Sequence, residues 1–333
     1  MDTCYDLSLS GEAGELMRYL LLFLCWTLLL SGGSYHTDIR PPSGQKEPLY
    51  PALRLLDQRV LSYSRIDGLK FSEISDLAYD RKHEHLYMLS DEGNLFVFQA
   101  RFGEKIELLK PIRSATVTKK RGKPFKKWRK DSEGMTLDGR GRLLISFEGK
   151  AKIGWFHKNS ERIGQRIRKY KIPSLLRNSQ NYRSKNKSLE ALAWHPKYGV
   201  LTVAEWPLKR DDKKRQTVYS LQGKKWHFKA EPEPRSAVSA IEVMDDGNLL
   251  VLERSYTGLM NPFVITLKKV YLNRCKKGWC QTKILAKMDS HKGWDVDNFE
   301  GLARVAPHRY VMVSDDNDNF FQKTLLIYFE VKE

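Results

Sequence analysis

Hydrophobic and polar positions alternate along this chain in a pattern that comes back five times. A short apolar run enters a turn of Asp, Gly, Pro or His, and a second run rich in Leu, Val and Ile ends on an acidic residue. A third, aromatic-bearing run follows. The copies are EISDLAYDRKHEHLYMLSDEGNLFVFQ from Glu73, DSEGMTLDGRGRLLISFEGKAKIGWF from Asp131, SLEALAWHPKYGVLTVAEW from Ser188, AVSAIEVMDDGNLLVLERSY from Ala237 and NFEGLARVAPHRYVMVSDDND from Asn298. Runs this short, broken by DGRG and DDGN turns whose Gly and Asn tolerate positive φ, predict antiparallel hairpins. No long stretch with a 3.6-residue period occurs outside the N-terminal segment, so the fold class expected is all-β.

The copies begin roughly 50 to 60 residues apart, and small antiparallel sheets repeated at such a period predict a single β-propeller. Five blades are expected. Six is the alternative, because the Gly103–Lys130 interval has room for a degenerate blade. The last copy lacks room for a fourth strand, and an extended segment, Leu49–Ser64, precedes the first. The N-terminal strand is therefore expected to close the C-terminal blade.

Residues 1–33 read as a signal peptide. Leu20–Leu30 is an eleven-residue apolar run, too short to span a bilayer, followed by Ser31-Gly32-Gly33. Translation from Met17 gives it a basic flank in place of the acidic Asp2, Asp6, Glu12 and Glu15; an uncleaved anchor is the alternative. Residues 34–48, with Pro41-Pro42-Ser43-Gly44, read as a linker, and 49–333 as the propeller domain. Cys4 and Cys25 fall in the leader. Cys275 and Cys280, in CKKGWC, are spaced for a hairpin disulfide in an oxidising compartment, with free thiols the alternative. The expected location is periplasmic or extracellular.

Aligning the hairpins places Ser75, Glu133, Glu190, Ser239 and Glu300 at first-strand starts and Asp91, Glu148, Glu205, Glu253 and Asp315 at second-strand ends. The separations are 16, 15, 15, 14 and 15 residues. The start of one strand and the end of its antiparallel partner lie at one sheet edge, so these residues are expected to crowd one mouth. Eight carboxylates there need compensation by a hard cation or by Arg and Lys. Oxygen-only ligands favour calcium or magnesium over zinc; structural pairing with backbone amides or a neighbouring Arg is the alternative. The expected metal ligands are Glu148, Glu190, Glu205, Glu253, Asp315 and Asp316, and the expected catalytic residues are Glu133, Glu300 and Arg254.

Charge adds a partner class. The formal net charge is +18, and the basic runs KKRGKPFKKWRK, NYRSKNK and PLKRDDKKRQ flank Glu133, Glu190 and Glu205. Lys126, Lys127, Arg129, Lys187, Lys209 and Arg210 are expected to bind an anionic small molecule or polymer on the rim; three solvated loops are the alternative. Trp128 and Tyr182 could stack on a ring, although core packing is the simpler reading. No GxSxG elbow, P-loop or HExxH is present. His83 and His85 sit at a turn, and the remaining histidines do not converge.

The run of openings SEGMTLD, LEALAWH and NFEGLARV, with LLISFEG, LLVLERSY and VMVSDDNDN, resembles the exported "esterase-like activity of phytase" family over residues 65–330. The matching positions are Glu133-Gly134, Glu148, Glu190, Glu205, Glu253-Arg254, Glu300-Gly301 and Asp315-Asp316-Asn317. Ala191 and Ser75-Asp76 depart from the pattern. The resemblance implies a propeller and a phosphate-ester or ester hydrolase. Three readings stand: a metal-dependent phosphate-ester hydrolase acting as a monomer, a non-catalytic envelope propeller binding an anionic polymer, lipid or protein, and a carboxylic-ester hydrolase, for which no Ser-His-Asp arrangement is legible.

Overall fold

The computed structural model describes residues 32–42, 50–126, 129–184, 187–258 and 262–332. Leu20–Leu30, Met17, Lys127 and Trp128 lie outside the described residues. In chain order the strands are β1 Ser34–His36, β2 Leu53–Leu61, β3 Arg65–Ile66, β4 Leu69–Lys70, β5 Ile74–Asp80, β6 His85–Ser90, β7 Asn94–Phe102, β8 Ile106–Thr116, β9 Ser132–Leu137, β10 Leu143–Phe147, β11 Lys152–Phe156 and β12 Arg166–Lys169. They continue as β13 Leu189–His195, β14 Gly199–Ala204, β15 Arg215–Ser220, β16 Lys225–Lys229, β17 Ala237–Val243, β18 Leu249–Ser255, β19 Val264–Lys276, β20 Trp279–Asp289, β21 Asn298–Ala306, β22 Arg309–Asp315 and β23 Leu325–Val331. Among the described residues, which are otherwise strands, loops and short 3-10 turns, one α-helical turn occurs, Ser174–Arg177. Among the described residues no helix is long and apolar enough to cross a membrane.

The strands form antiparallel meanders: β5–β8, β9–β12, β13–β16, β17–β20, and β21–β23 continued by β2 and β1. The third and fourth meanders are joined by a single parallel bridge, His227 to Trp279. Strand β2 pairs antiparallel with β23, Leu53 opposite Val331 and Val60 opposite Leu325, so the N-terminal and C-terminal segments share a sheet. The segment expected to be a linker departs from that expectation at its start. Ser34–His36 pairs with β2, and Ile39 is fully buried because its side chain completes the apolar layer around Trp294.

Five apolar clusters account for the core, and each is shared by two neighbouring meanders. Leu86, Met88, Phe96 and Phe98 pack on Val311, Val313, Leu326 and Tyr328 of the last meander, while Tyr87, Leu89 and Leu95 face Leu143, Ile145 and Phe147 of the second. Strands buried on both faces read as nearly continuous apolar runs rather than strict alternation, which explains LLISF and LLVL. The first strands touch in sequence: β5 on β9, β9 on β13, β13 on β17, β17 on β21, and β21 on β5. Their approach is close enough to exclude a side chain. A Cβ on Gly134 would lie 2.5 Å from the Glu190 carbonyl and 2.8 Å from Leu192 N, and one on Gly301 would lie 2.8 Å from Asp76 Cα.

The β19–β20 hairpin runs beyond its neighbours to a tip closed by the Cys275–Cys280 disulfide. Lys277 and Gly278 both take positive φ there, as a two-residue hairpin turn requires.

Candidate functional site

Every first strand carries a β-bulge at the same place. Ser75 is the extra residue between the pairs Ile74–Ser90 and Asp76–Leu89. Glu190, Ser239 and Glu300 are the extra residues in β13, β17 and β21, and Glu133-Gly134 together face Ser146 in β9. A bulge bends the strand and re-aims the unpaired side chain, so the fold presents these five side chains alike at one edge. Two of them are serines that tie neighbouring meanders: Ser75 Oγ donates to the Ser132 carbonyl at 3.0 Å, and Ser239 Oγ to the Phe299 carbonyl at 3.0 Å. The other three are Glu133, Glu190 and Glu300.

The second-strand ends deliver Glu148 and Glu205 beside them. Single carboxylate oxygens of Asp131, Glu133 and Glu148 lie within 4.8 Å of one another, and so do those of Glu148, Glu190 and Glu205. Glu148 belongs to both triplets. Asp131, two residues before Glu133, was not among the expected ligands; the acid in DSEG was the available signal. Among the described residues, no hydrogen bond or ion pair reaches the carboxylates of Glu133 and Glu190. Burial, reinforced by the charges of Glu190 and Glu148, pushes Glu133 well above the usual carboxylate range. Glu190 is raised in the same way by burial and then by Glu205 and Glu148. Burial and Glu205 bring Glu148 to about 8, against the pull of Lys187. Desolvation and like charge both disfavour ionised carboxylates, so protonation is favoured in this group unless a cation takes the proton's place. Carboxylate oxygens gathered this closely, in two triplets that share Glu148, fit a hard divalent cation.

Two protein cations stand in the same group. Lys187 Nζ lies 2.6 Å from Glu205 Oε2. Arg254 Nη2 lies 2.7 Å from Glu300 Oε1 and 3.7 Å from Glu205 Oε1. Burial alone would lower the Arg254 pKa, but Glu300, Glu205 and Glu190 raise it above its ordinary value. Lys187, expected on the rim, is therefore an internal partner of the carboxylates.

Register corrects one expected ligand. Val238 pairs with Glu253, as Leu189 pairs with Ala204 and Phe299 with Ser314. The residue equivalent to Glu205 and Asp315 in the fourth meander is thus Arg254. Glu253, one position earlier, faces the opposite side of the strand. There it meets Lys268 Nζ at 2.5 Å and accepts from Glu231 N. Lys268, itself buried, also contacts Glu231 at 2.6 Å. Glu253 serves this inner ion cluster and not the carboxylate group.

Asp315 is near Glu300, sharing the Asn298 amide with it at 3.3 and 2.9 Å. Burial and the charge of Glu300 lift Asp315 to about 9. Asp91 is lifted to about 7 by burial, Glu73 and Glu300, and its Oδ1 is buried with no hydrogen-bond partner among the described residues. Asp316 instead ties loops together: it accepts from Ser72 Oγ at 2.8 Å, Glu73 N at 2.9 Å and Thr324 Oγ1 at 3.0 Å. Asp76 stands where the openings Glu133-Gly134 and Glu300-Gly301 carry the glycine of an acid-glycine pair. Its carboxylate accepts from Met135 N at 2.6 Å, Leu77 N at 2.8 Å and Leu302 N at 3.2 Å, joining three meanders.

The rim is basic but uneven. Lys126, Lys209 and Arg210 are exposed, whereas Arg129 is half-buried. Tyr182 is core, its hydroxyl donating to the Leu176 carbonyl. His83 is held by Asp80 at the first turn. A cleft of about 770 Å³ opens beside Trp206 and Pro207, with Arg183, Lys213 and Arg235 on its walls.

The sequence matches the family model described as phytase-like, esterase-like activity of phytase, over residues 69–318. No curated protein matches it. Similar solved structures include a luciferin-regenerating enzyme at 10% identity, covering 78% of this chain and 92% of that one, with a TM-score of 0.40. Virginiamycin B lyase from Staphylococcus aureus is 9% identical, covering 90% and 100%, with a TM-score of 0.40. The Cps50 (Swd1) β-propeller domain of Myceliophteria thermophila is 9% identical, covering 79% and 99%, also at 0.40.

Proposed function

The chain belongs to the phytase-like family, esterase-like activity of phytase, and from that premise we propose an exported, five-bladed β-propeller, closed by β2, that hydrolyses phosphate esters with a hard divalent cation, calcium first among the candidates. The observation that carries the reading is the pair of carboxylate triplets sharing Glu148. Asp131, Glu133, Glu148, Glu190 and Glu205 would hold the cation, which would supply charge neutralisation and Lewis acidity toward a phosphoryl oxygen. The chain's own residues do the rest. Lysines and arginines around the mouth hold the remaining negative charge of the substrate. Arg254 bridges Glu300 and Glu205 and keeps one position of the mouth cationic. Asp315, outside both triplets and protonated up to about 9, supplies a proton to a leaving oxygen at neutral pH. Export is supported by the disulfide.

The test uses the purified chain in chelator and in millimolar calcium, with melting temperature and release of phosphate from nitrophenyl phosphate and inositol phosphates as readouts. Calcium is expected to raise the melting temperature and to switch on phosphate release, and Glu148→Gln to abolish both responses. Equal behaviour of Glu148→Gln and the parent removes the triplets from the reading. A second reading, a binding propeller without turnover, is favoured by Lys187 and Arg254, which neutralise part of the well from within. Calcium-dependent melting with no release from any ester would select it.

A further inference from the structure

A second concentration of charge lies on the β9–β12 meander, and it has the opposite sign. A pocket of about 390 Å³ is lined by Lys119, Arg129, Lys150, Lys152, Arg166 and Arg177, with further lysines at its edge and no carboxylate among its described lining residues. Its floor is aromatic. Lys152 Nζ sits 3.9 Å from the Phe147 ring centroid and 5.1 Å from that of Phe125. The Arg166 guanidinium lies 5.4 Å from the same Phe125 ring, and Lys119 Nζ 5.9 Å. Three cations thus surround one ring. The oxygen that Lys152 Nζ bonds is the Arg129 carbonyl, at 2.6 Å.

Ring faces and one carbonyl offset part of this charge. Like charges in a recess repel, and an anion from solution would relieve that repulsion. The volume is that of a small-molecule site. We propose that this pocket is a binding site for a compact, multiply charged phosphate or sulfate ester, separate from the carboxylate triplets. The basic side chains take the anionic groups, and Phe125 with Tyr170 and Ile172 takes the ligand's apolar face. The site goes beyond the hydrolase reading and needs no metal.

The state of Lys152 agrees. Burial, followed by Arg166 and Arg129, lowers its pKa to about 7, with Lys169 acting in the same direction and Asp131 opposing. A bound anion favours the ammonium form, so affinity should fall as pH rises through 7 and binding should take up a proton.

The experiment is isothermal titration of the full chain with trimetaphosphate, whose charge is constant over pH 6–9, in excess EDTA. Sulfate is the comparator. The expected result is binding at least tenfold tighter than sulfate, weakening with salt and with rising pH. Lys152→Met keeps an unbranched apolar stem, removes the charge and should lose at least tenfold. The exposed pair Lys150→Gln/Arg177→Gln, which leaves the buried wall intact, should lose affinity without a change in melting temperature and covers a folding failure of Lys152→Met. Glu148→Gln should bind trimetaphosphate as the parent does, so failure of the hydrolase reading and failure of this one are distinguishable. No binding at millimolar trimetaphosphate, or parental affinity in the Lys150→Gln/Arg177→Gln protein, overturns the proposal.

Discussion

Replacing Arg254 by Met removes the cation from the centre of the acidic group while keeping most of its stem. Two contacts go, at 2.7 Å to Glu300 and 3.7 Å to Glu205. With an effective dielectric constant of about 20 the gross Coulomb terms are about 6 and about 4 kcal/mol, most of which desolvation offsets. The net cost of removing one partner from a buried pair is about 3–5 kcal/mol, because the surviving charges are left uncompensated. In a domain of this size that corresponds to a fall in melting temperature of roughly 10 °C. The fall should depend on pH. Glu205 already holds a raised pKa, from burial opposed by Arg254 and Lys187, and without Arg254 it rises further. Protonation then relieves the loss. Thermal melts by circular dichroism in EDTA should therefore show the large deficit at pH 8 and a much smaller one at pH 5. Adding Glu300→Gln to Arg254→Met should recover at least about 1 kcal/mol relative to additivity, since the pair is in contact. A deficit under about 2 °C at pH 8, or one of equal size at both pH values, would refute the argument that Arg254 compensates the carboxylates.

Other outcomes follow from the same geometry. Glu133, Glu148, Glu190 and Asp315 have folded-state pKa values above their unfolded ones, so the stability they contribute is fully present below the ordinary carboxylate range and is lost as pH rises through the raised values. In chelator the melting temperature should fall between pH 5 and pH 9, and calcium should restore it at pH 8 but not at pH 5. Glu253→Gln should destabilise the fold, because Lys268 loses one of its two carboxylate partners, yet leave the calcium response unchanged; loss of that response would place Glu253 in the metal group after all. Gly134→Ala should cost at least about 1–3 kcal/mol in a denaturant titration, since the new Cβ meets backbone on β13. Converting Cys275 and Cys280 to Ser should cost about 2 kcal/mol by loop-closure entropy with no effect on phosphate release, as the pair closes a hairpin tip.

The all-β class was legible in the sequence because short apolar runs and the Gly/Asn turns that break them are local properties. The acidic edge was legible as well. The bulged residues Glu133, Glu190 and Glu300, and the strand-end residues Glu148 and Glu205, recur at a near-constant hairpin spacing, and antiparallel geometry turns a constant spacing into a shared edge. What local pattern did not decide was register. In the fourth hairpin the acid and the arginine are adjacent, Glu253 and Arg254, and a separation of 14 or 15 residues looks alike on paper. Because strand side chains alternate faces, that single residue decides whether a carboxylate or a guanidinium enters the group, and only pairing with Val238 settles it. Partners from distant segments were equally invisible. Asp76 bonds residues 59 and 226 positions away, Ile39 fills a layer completed by Trp294, and the Lys152 pocket gathers side chains from Lys119 to Arg177. The sequence by itself determined which residue types recur at the sheet edges; the tertiary structure decided which charges face one another, because side-chain direction and proximity are set by strands that neighbour in space and not along the chain.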